Sequence, residues 1–224
     1  MALVQVPPGE KPESREVHQI LAGLRQGEPV ALPTEFGYVF ACDAINSFAI
    51  RRLRDIRNDH QPSGYTILFR DIAQLETFSP PVSAQTRRIL DEYWNELLTL
   101  RAPKRDLSWD SGDDCRNEYF YSRSSREPFI QEILATYGPL AISSASAKGW
   151  PSFSSPELIE EQFSGRIHTV IGNGYLEPTG KSTVISEFGD EFVVLREGEI
   201  KYLDLIAKFP DSKFRLASEM RANA

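Results

Sequence analysis

The stretch from Glu28 to Asp43, "EPVALPTEFGYVFACD", constrains the fold of this chain more than any other. "EPVALPT" is a short apolar run that Pro33 brings to an end, and "GYVFACD" follows it as a second extended segment. Apolar runs of this length, bounded by turn residues, suit strands buried on both faces. Amphipathic helices flank them. Upstream, Val17, Ile20, Leu21 and Leu24 recur at helical spacing, with Gly27 as the stop. Downstream, Asn46 or Ser47 caps a helix whose inner face is Ala49, Ile50, Leu53 and Ile56, which leaves Arg51, Arg52 and Arg54 mostly outside.

The same mixture continues along the chain. "YTILF" reads as a strand, Asp71 caps a short helix running to Phe78, "SAQTRRILDEYW" is a further helix, and "ELLTLRAP" is extended. The polar residues 104–118, "KRDLSWDSGDDCRNE", form a long loop, of a length that is often functional or mobile. "REPFIQEILATYG" is helical with Gly138 as its stop, and "PLAISSAS" is a strand entering a serine-rich turn. "SSPELIEEQF" opens as a helix through serine, proline and acidic residues. "IHTVIGN", "STVISEF" and "EFVVLREG" are the closing strands, and the last fifteen or so residues are expected as a helix or frayed tail. No repeat or low-complexity tract occurs. Strands and helices mix without strict alternation, which predicts an α/β or α+β domain on a mixed, twisted sheet.

With 224 residues the chain suits one large domain or two small ones, and a core of that size needs neither metal nor disulfide to hold it. Cys42 lies in an apolar segment and Cys115 in a polar loop, so they read as a buried thiol and a loop thiol in a reducing compartment. "MALVQVPPGEKPES" lacks a charged segment followed by an apolar one, and no apolar run reaches membrane-spanning length. A cytoplasmic location is expected. The net charge of −7 argues against broad, nonspecific nucleic-acid binding but leaves a local basic groove open.

General catalytic templates fit poorly. His18, His60 and His168 are scattered without metal-ligand spacing, so no metal site is expected. The nucleophile-elbow, Walker A and dinucleotide-binding patterns do not occur. What remains are segments that end strands in small hydroxyl residues: "LPTEFGY", "AISSASAKG" and "GKSTVIS". Each alone reads as a turn. Together with Arg123 in "YSRSSREP" and Arg196 in "VLREG" they point to a pocket for a polar small molecule.

The order of these segments resembles the YrdC-like family, whose full members are threonylcarbamoyl-AMP synthases of the t6A tRNA modification. "PTEFGYVFACD", "IRND", "SGYTIL", "WNELLT", "YSRSSREP", "SSASAKG", "KSTVI" and "LREG" fall in the family's order, from about Val17 to about Ile200. Within the family the chain resembles the YciO branch, which shares "SGY" and carries a "GGYL" where this chain has "GNGYLEPTGKSTVI". The resemblance implies an α/β fold: a single YrdC-like domain over residues 15–205, between an N-terminal extension (1–14) and a C-terminal tail (206–224). Its twisted mixed sheet and helices would surround a concave cavity for ATP, magnesium, threonine and bicarbonate. The family reaction makes a carbamate on the threonine amine, which attacks the α-phosphate of ATP and releases pyrophosphate. A non-catalytic module binding a nucleotide, tRNA or double-stranded RNA is the alternative.

By position, the resemblance assigns Thr34, Tyr38, Arg123 and Ser182 to the substrate, and Arg57, Ser144, Ser146 and Arg196 to the nucleotide. It singles out no catalytic residue. Three family cations are altered: a lysine becomes Arg57, an arginine becomes Asp59, and a third cation becomes Ser63. A carboxylate aimed at a triphosphate would displace charge-assisted hydrogen bonds worth roughly 1.5–3 kcal/mol each. A ligand with less negative charge, or one seated differently, is therefore expected.

Overall fold

A computed structural model describes residues 2–5, 14–59, 64–112, 117–177 and 180–218. Ser63, His60 and Cys115 lie outside these residues, as does the middle of the 104–118 loop.

The strands are β1 (Ala2–Gln5), β2 (Val30–Thr34), β3 (Gly37–Asp43), β4 (Thr66–Leu68), β5 (Leu98–Pro103), β6 (Tyr119–Arg123), β7 (Leu140–Ser144), β8 (Thr169–Gly172), β9 (Thr183–Phe188), β10 (Glu191–Arg196) and β11 (Lys213–Leu216). The helices are α1 (Ser14–Arg25), α2 (Ser47–Arg57), α3 (Ile72–Leu75), α4 (Ala84–Tyr93), α5 (Pro128–Thr136), α6 (Pro156–Phe163) and α7 (Tyr202–Lys208). Among the described residues the strands join into one mixed, twisted sheet in the order β1-β8-β2-β3-β7-β4-β6-β5-β9-β10-β11. β3 runs antiparallel to both of its neighbours, and β4 pairs parallel with β6.

The two apolar runs of the opening stretch form a tight hairpin. Thr34 pairs with Gly37 across a two-residue loop, and Gly37 takes φ +100°, a conformation that a side chain would disfavour. Strand alternation then sorts the core into two faces. Val30, Leu32, Val39, Ala41, Leu68 and Ile142 point to one face, where Val17, Ile20 and Leu24 of α1 and Ile130 and Ile133 of α5 cover them. Tyr38, Phe40, Cys42, Ile67, Phe120 and Phe192 point to the other, against α2, α4, α6 and α7.

Helix boundaries follow the capping chemistry. Asn46, one of the two candidates, accepts from the backbone N–H groups of Phe48 and Ala49. Asp71 accepts from Gln74 N and Ser155 from Leu158 N. The termini differ from expectation. β1 pairs parallel with β8, and β11 pairs parallel with β10, so strands lie outside residues 15–205. In "KFRL" alternation hides the strand: Phe214 is buried and stacks on Phe192 at 5.3 Å, while its charged neighbours face outward. Among the described residues no helix is long and apolar enough to cross a membrane.

Replacing Asn46 by alanine leaves two helix N–H groups without their acceptor. About 1 kcal/mol of stability should be lost, seen in thermal unfolding as a fall in Tm of roughly 2–4 °C; an unchanged Tm would show that solvent serves those groups equally well.

Candidate functional site

The first sheet face is longer than α1 and α5 can cover. Past their contacts, the alternation that sends Val39 and Ile142 into the core also places Thr66, Arg123 and Ser144 on that face, and they line a cavity of about 540 Å³. Ser182 and Arg196, at the ends of β9 and β10, bring up one side of it, while Trp150, Pro151 and Ser152 from the chain after β7 bring up the other.

Five of the eight residues assigned by sequence position therefore meet in one cavity: Tyr38, Arg123, Ser144, Ser182 and Arg196. Thr34 lines an adjoining pocket of about 190 Å³. Its hydroxyl donates to Gly37 O at 2.6 Å and accepts from Phe36 N at 3.3 Å, so it fixes the hairpin. Tyr38 also lines the cavity, and its hydroxyl donates to Gly174 O and accepts from Asn173 N, tying down the chain after β8.

The two arginines supply the charge. Arg123 is 6% exposed, lies over the Phe36 ring at 3.9 Å, and donates through Nη2 to Glu96 O. Its Nε is buried with no hydrogen-bond partner among the described residues, which is costly for a donor on a cation. Burial lowers this guanidinium to about 10, Glu35 pulls it back up, and Arg196 pushes it further down. It stays charged at neutral pH. Arg196 is also lowered by burial, and it grips Ser182 through both O (3.0 Å) and Oγ (2.8 Å). Ser182 Oγ accepts in turn from Thr99 at 2.9 Å. The glycine two residues on has a steric reason: a Cβ at Gly198 would stand 2.0 Å from Lys181 O, and its N–H donates to Thr183 Oγ1.

Arg57 and Ser146 do not line the cavity; they hold its wall. Arg57 is buried and donates through Nη1 to Ser144 O, and its own carbonyl accepts from Lys148 N at 2.7 Å. Ser146 is fully buried, with Oγ donating to Trp150 O at 3.0 Å. Asp59 joins the same clamp. α2 ends at Asn58 in the left-handed region (φ 53°), which asparagine tolerates, and Asp59 N then returns to Arg54 O. That turn brings the buried Asp59 carboxylate to 3.0 Å from Lys148 Nζ.

A family model for the Sua5/YciO/YrdC domain, described as telomere recombination, matches residues 22–198. The chain belongs to the Sua5/YciO/YrdC family. It is 29% identical over 189 residues to a threonylcarbamoyl-AMP synthase of Bacillus subtilis, covering 83% of this chain and 54% of that protein. It is 26% identical over 198 residues to YciO of Escherichia coli K12, covering 84% and 92%. Among solved structures, Pyrococcus abyssi Sua5 complexed with L-threonine superposes with a TM-score of 0.83 at 23% identity, over 96% of this chain and 63% of that one. E. coli YciO superposes with 0.76 at 24%, over 89% and 98%. The chain spans about half the length of the synthase relatives from B. subtilis and P. abyssi.

The described residues thus share the twisted, mixed α/β fold of the Sua5 and YciO structures. Asp59 is not a bare carboxylate facing the cavity: its sign reversal is met by Lys148, in the serine-rich turn of "SSASAKG". Trp150, Lys181 and Thr66 also line the cavity and were not singled out by sequence. Lys181 sat in view beside Ser182, whereas Trp150 and Thr66 carry no signal until the sheet face is known.

The Lys148 side chain is 42% exposed, so solvent screens the Asp59 pair and its coupling should be worth about 1 kcal/mol. In a double-mutant cycle, Lys148→Ala should cost more in the wild-type background than in Asp59→Asn, by that amount in urea unfolding. Additive losses would mean that the pair does not hold the wall.

Proposed function

We propose that this chain binds ATP and a threonine-like amino acid in the cavity and carries out a threonylcarbamoyl-AMP synthase-like transfer that serves tRNA modification. The observation that carries the reading is the pair of arginines, Arg123 and Arg196, lining one cavity. Two like charges facing a shared space favour an anion between them, and a desolvated guanidinium binds carboxylate or phosphate oxygens strongly. The names of the relatives point the same way.

In this reading the amine of the amino acid adds to bicarbonate with loss of water, giving a carbamate. A carbamate oxygen then attacks the α-phosphorus, and the bond to the bridging oxygen breaks to release pyrophosphate. Arg123 and Arg196 offset the charge on the reacting oxygens, while Ser144 and Ser182 orient the reactants by hydrogen bonds. Lys181, exposed at the rim, adds a further cation. Among the described residues no cluster of three His, Cys, Asp or Glu could hold a metal, so magnesium would come in on the phosphates. The triphosphate meets fewer fixed cations than the family pattern provides, which makes this a slow synthase.

Pyrophosphate release from ATP should require both bicarbonate and threonine. Arg123→Lys keeps the charge but loses Nε and the planar fork, and should lower kcat/KM by at least about tenfold. No turnover above background at high enzyme concentration would sink the reading.

A further inference from the structure

Trp150 is 72% exposed, yet the chain that carries it is closely fixed. Its N–H donates to Ala147 O at 3.1 Å and its carbonyl accepts from Ser146 Oγ at 3.0 Å. On one side Lys148 N is held by Arg57 O, and on the other Ser152 Oγ donates to Tyr38 O and Phe153 N to Ala145 O. Proline follows at position 151 and restricts the backbone further. An indole on a mobile loop can turn away from a ligand, and one on a fixed backbone cannot. This one is presented to the mouth of the cavity by a backbone that cannot easily withdraw it.

The other rings of the cavity are committed. Arg123 covers the face of Phe36, Phe153 packs edge-on to Phe163 at 6.1 Å, and Tyr38 is anchored through its hydroxyl. The Trp150 ring has no aromatic or cationic partner among the described residues. The cavity therefore has a polar, cationic end at Arg123, Arg196 and Ser182, and an unfilled apolar platform at Trp150. A ligand complementary to both has an anionic or polar part joined to a planar ring.

We infer that Trp150 is the stacking residue for the heteroaromatic base of the cavity's ligand, setting where the base lies and favouring purines over smaller rings. Stacking reads the π-face rather than the hydrogen-bonding edge, so it selects ring size more than base identity. The inference rests on the nucleotide reading above, which it extends to the base.

Calorimetry on the full chain separates the two. The probes are MgATP, MgCTP and inorganic tripolyphosphate, on wild type, Trp150→Phe and Trp150→Ala, with circular dichroism to verify the fold. Trp150→Ala should weaken MgATP on the order of tenfold and MgCTP less, leave tripolyphosphate unchanged, and be largely rescued in Trp150→Phe. Equal MgATP affinity in wild type and Trp150→Ala overturns the stacking role while leaving nucleotide binding in place. Equal weakening of tripolyphosphate also overturns it, because the ring would then act through the wall. No binding of either nucleotide to wild type removes both readings.

Discussion

A long sheet with both faces apolar must be covered on both, and here one face has less helix than strand. α1 and α5 close it over β2, β3 and β7, where Val30, Leu32, Ala41 and Leu140 are fully buried. Where they end, the same alternation of side chains continues, but into open space. The residues at those positions change from Val, Leu and Ile to Thr66, Arg123 and Ser144. The cavity is a consequence of strand periodicity running beyond helix cover, and its chemistry follows from which residues occupy the uncovered positions.

Two kinds of polar group result. Arg123, Arg196 and Ser182 face the cavity, and of these Arg123 keeps a donor that no described residue satisfies. Arg57, Asp59 and Ser146 are buried and, with the half-exposed Lys148, tie the end of α2 to the chain after β7. Charge at the second set shapes the cavity without facing it. The exchange of a cation for Asp59 therefore bears on the wall, since Lys148 stands opposite it.

Much of this was legible in the sequence. The order of small-hydroxyl strand ends gave the family, and position alone brought Tyr38, Arg123, Ser144, Ser182 and Arg196 to one place. Thr34, Arg57 and Ser146 fell in the right neighbourhood, but position along a chain does not say which way a side chain turns. Orientation depends on strand register and on the left-handed residue at Asn58, and neither is visible in a motif. Lys148 was hidden because its partner is 89 residues away. The edge strand β11 was hidden for another reason: at a sheet edge only one residue in two needs to be apolar, and "KFRL" reads as polar.

In the proposed function the Arg123 guanidinium, together with Arg196, meets an anionic group of the ligand. A crystal structure of the chain with threonine and a non-hydrolysable ATP analogue tests it most directly. A carboxylate or phosphate oxygen should lie within hydrogen-bond distance of the Arg123 guanidinium, about 2.7–3.2 Å, with Arg196 facing the same ligand. Ligand density elsewhere on the protein, with no ligand oxygen on the Arg123 guanidinium, would contradict it.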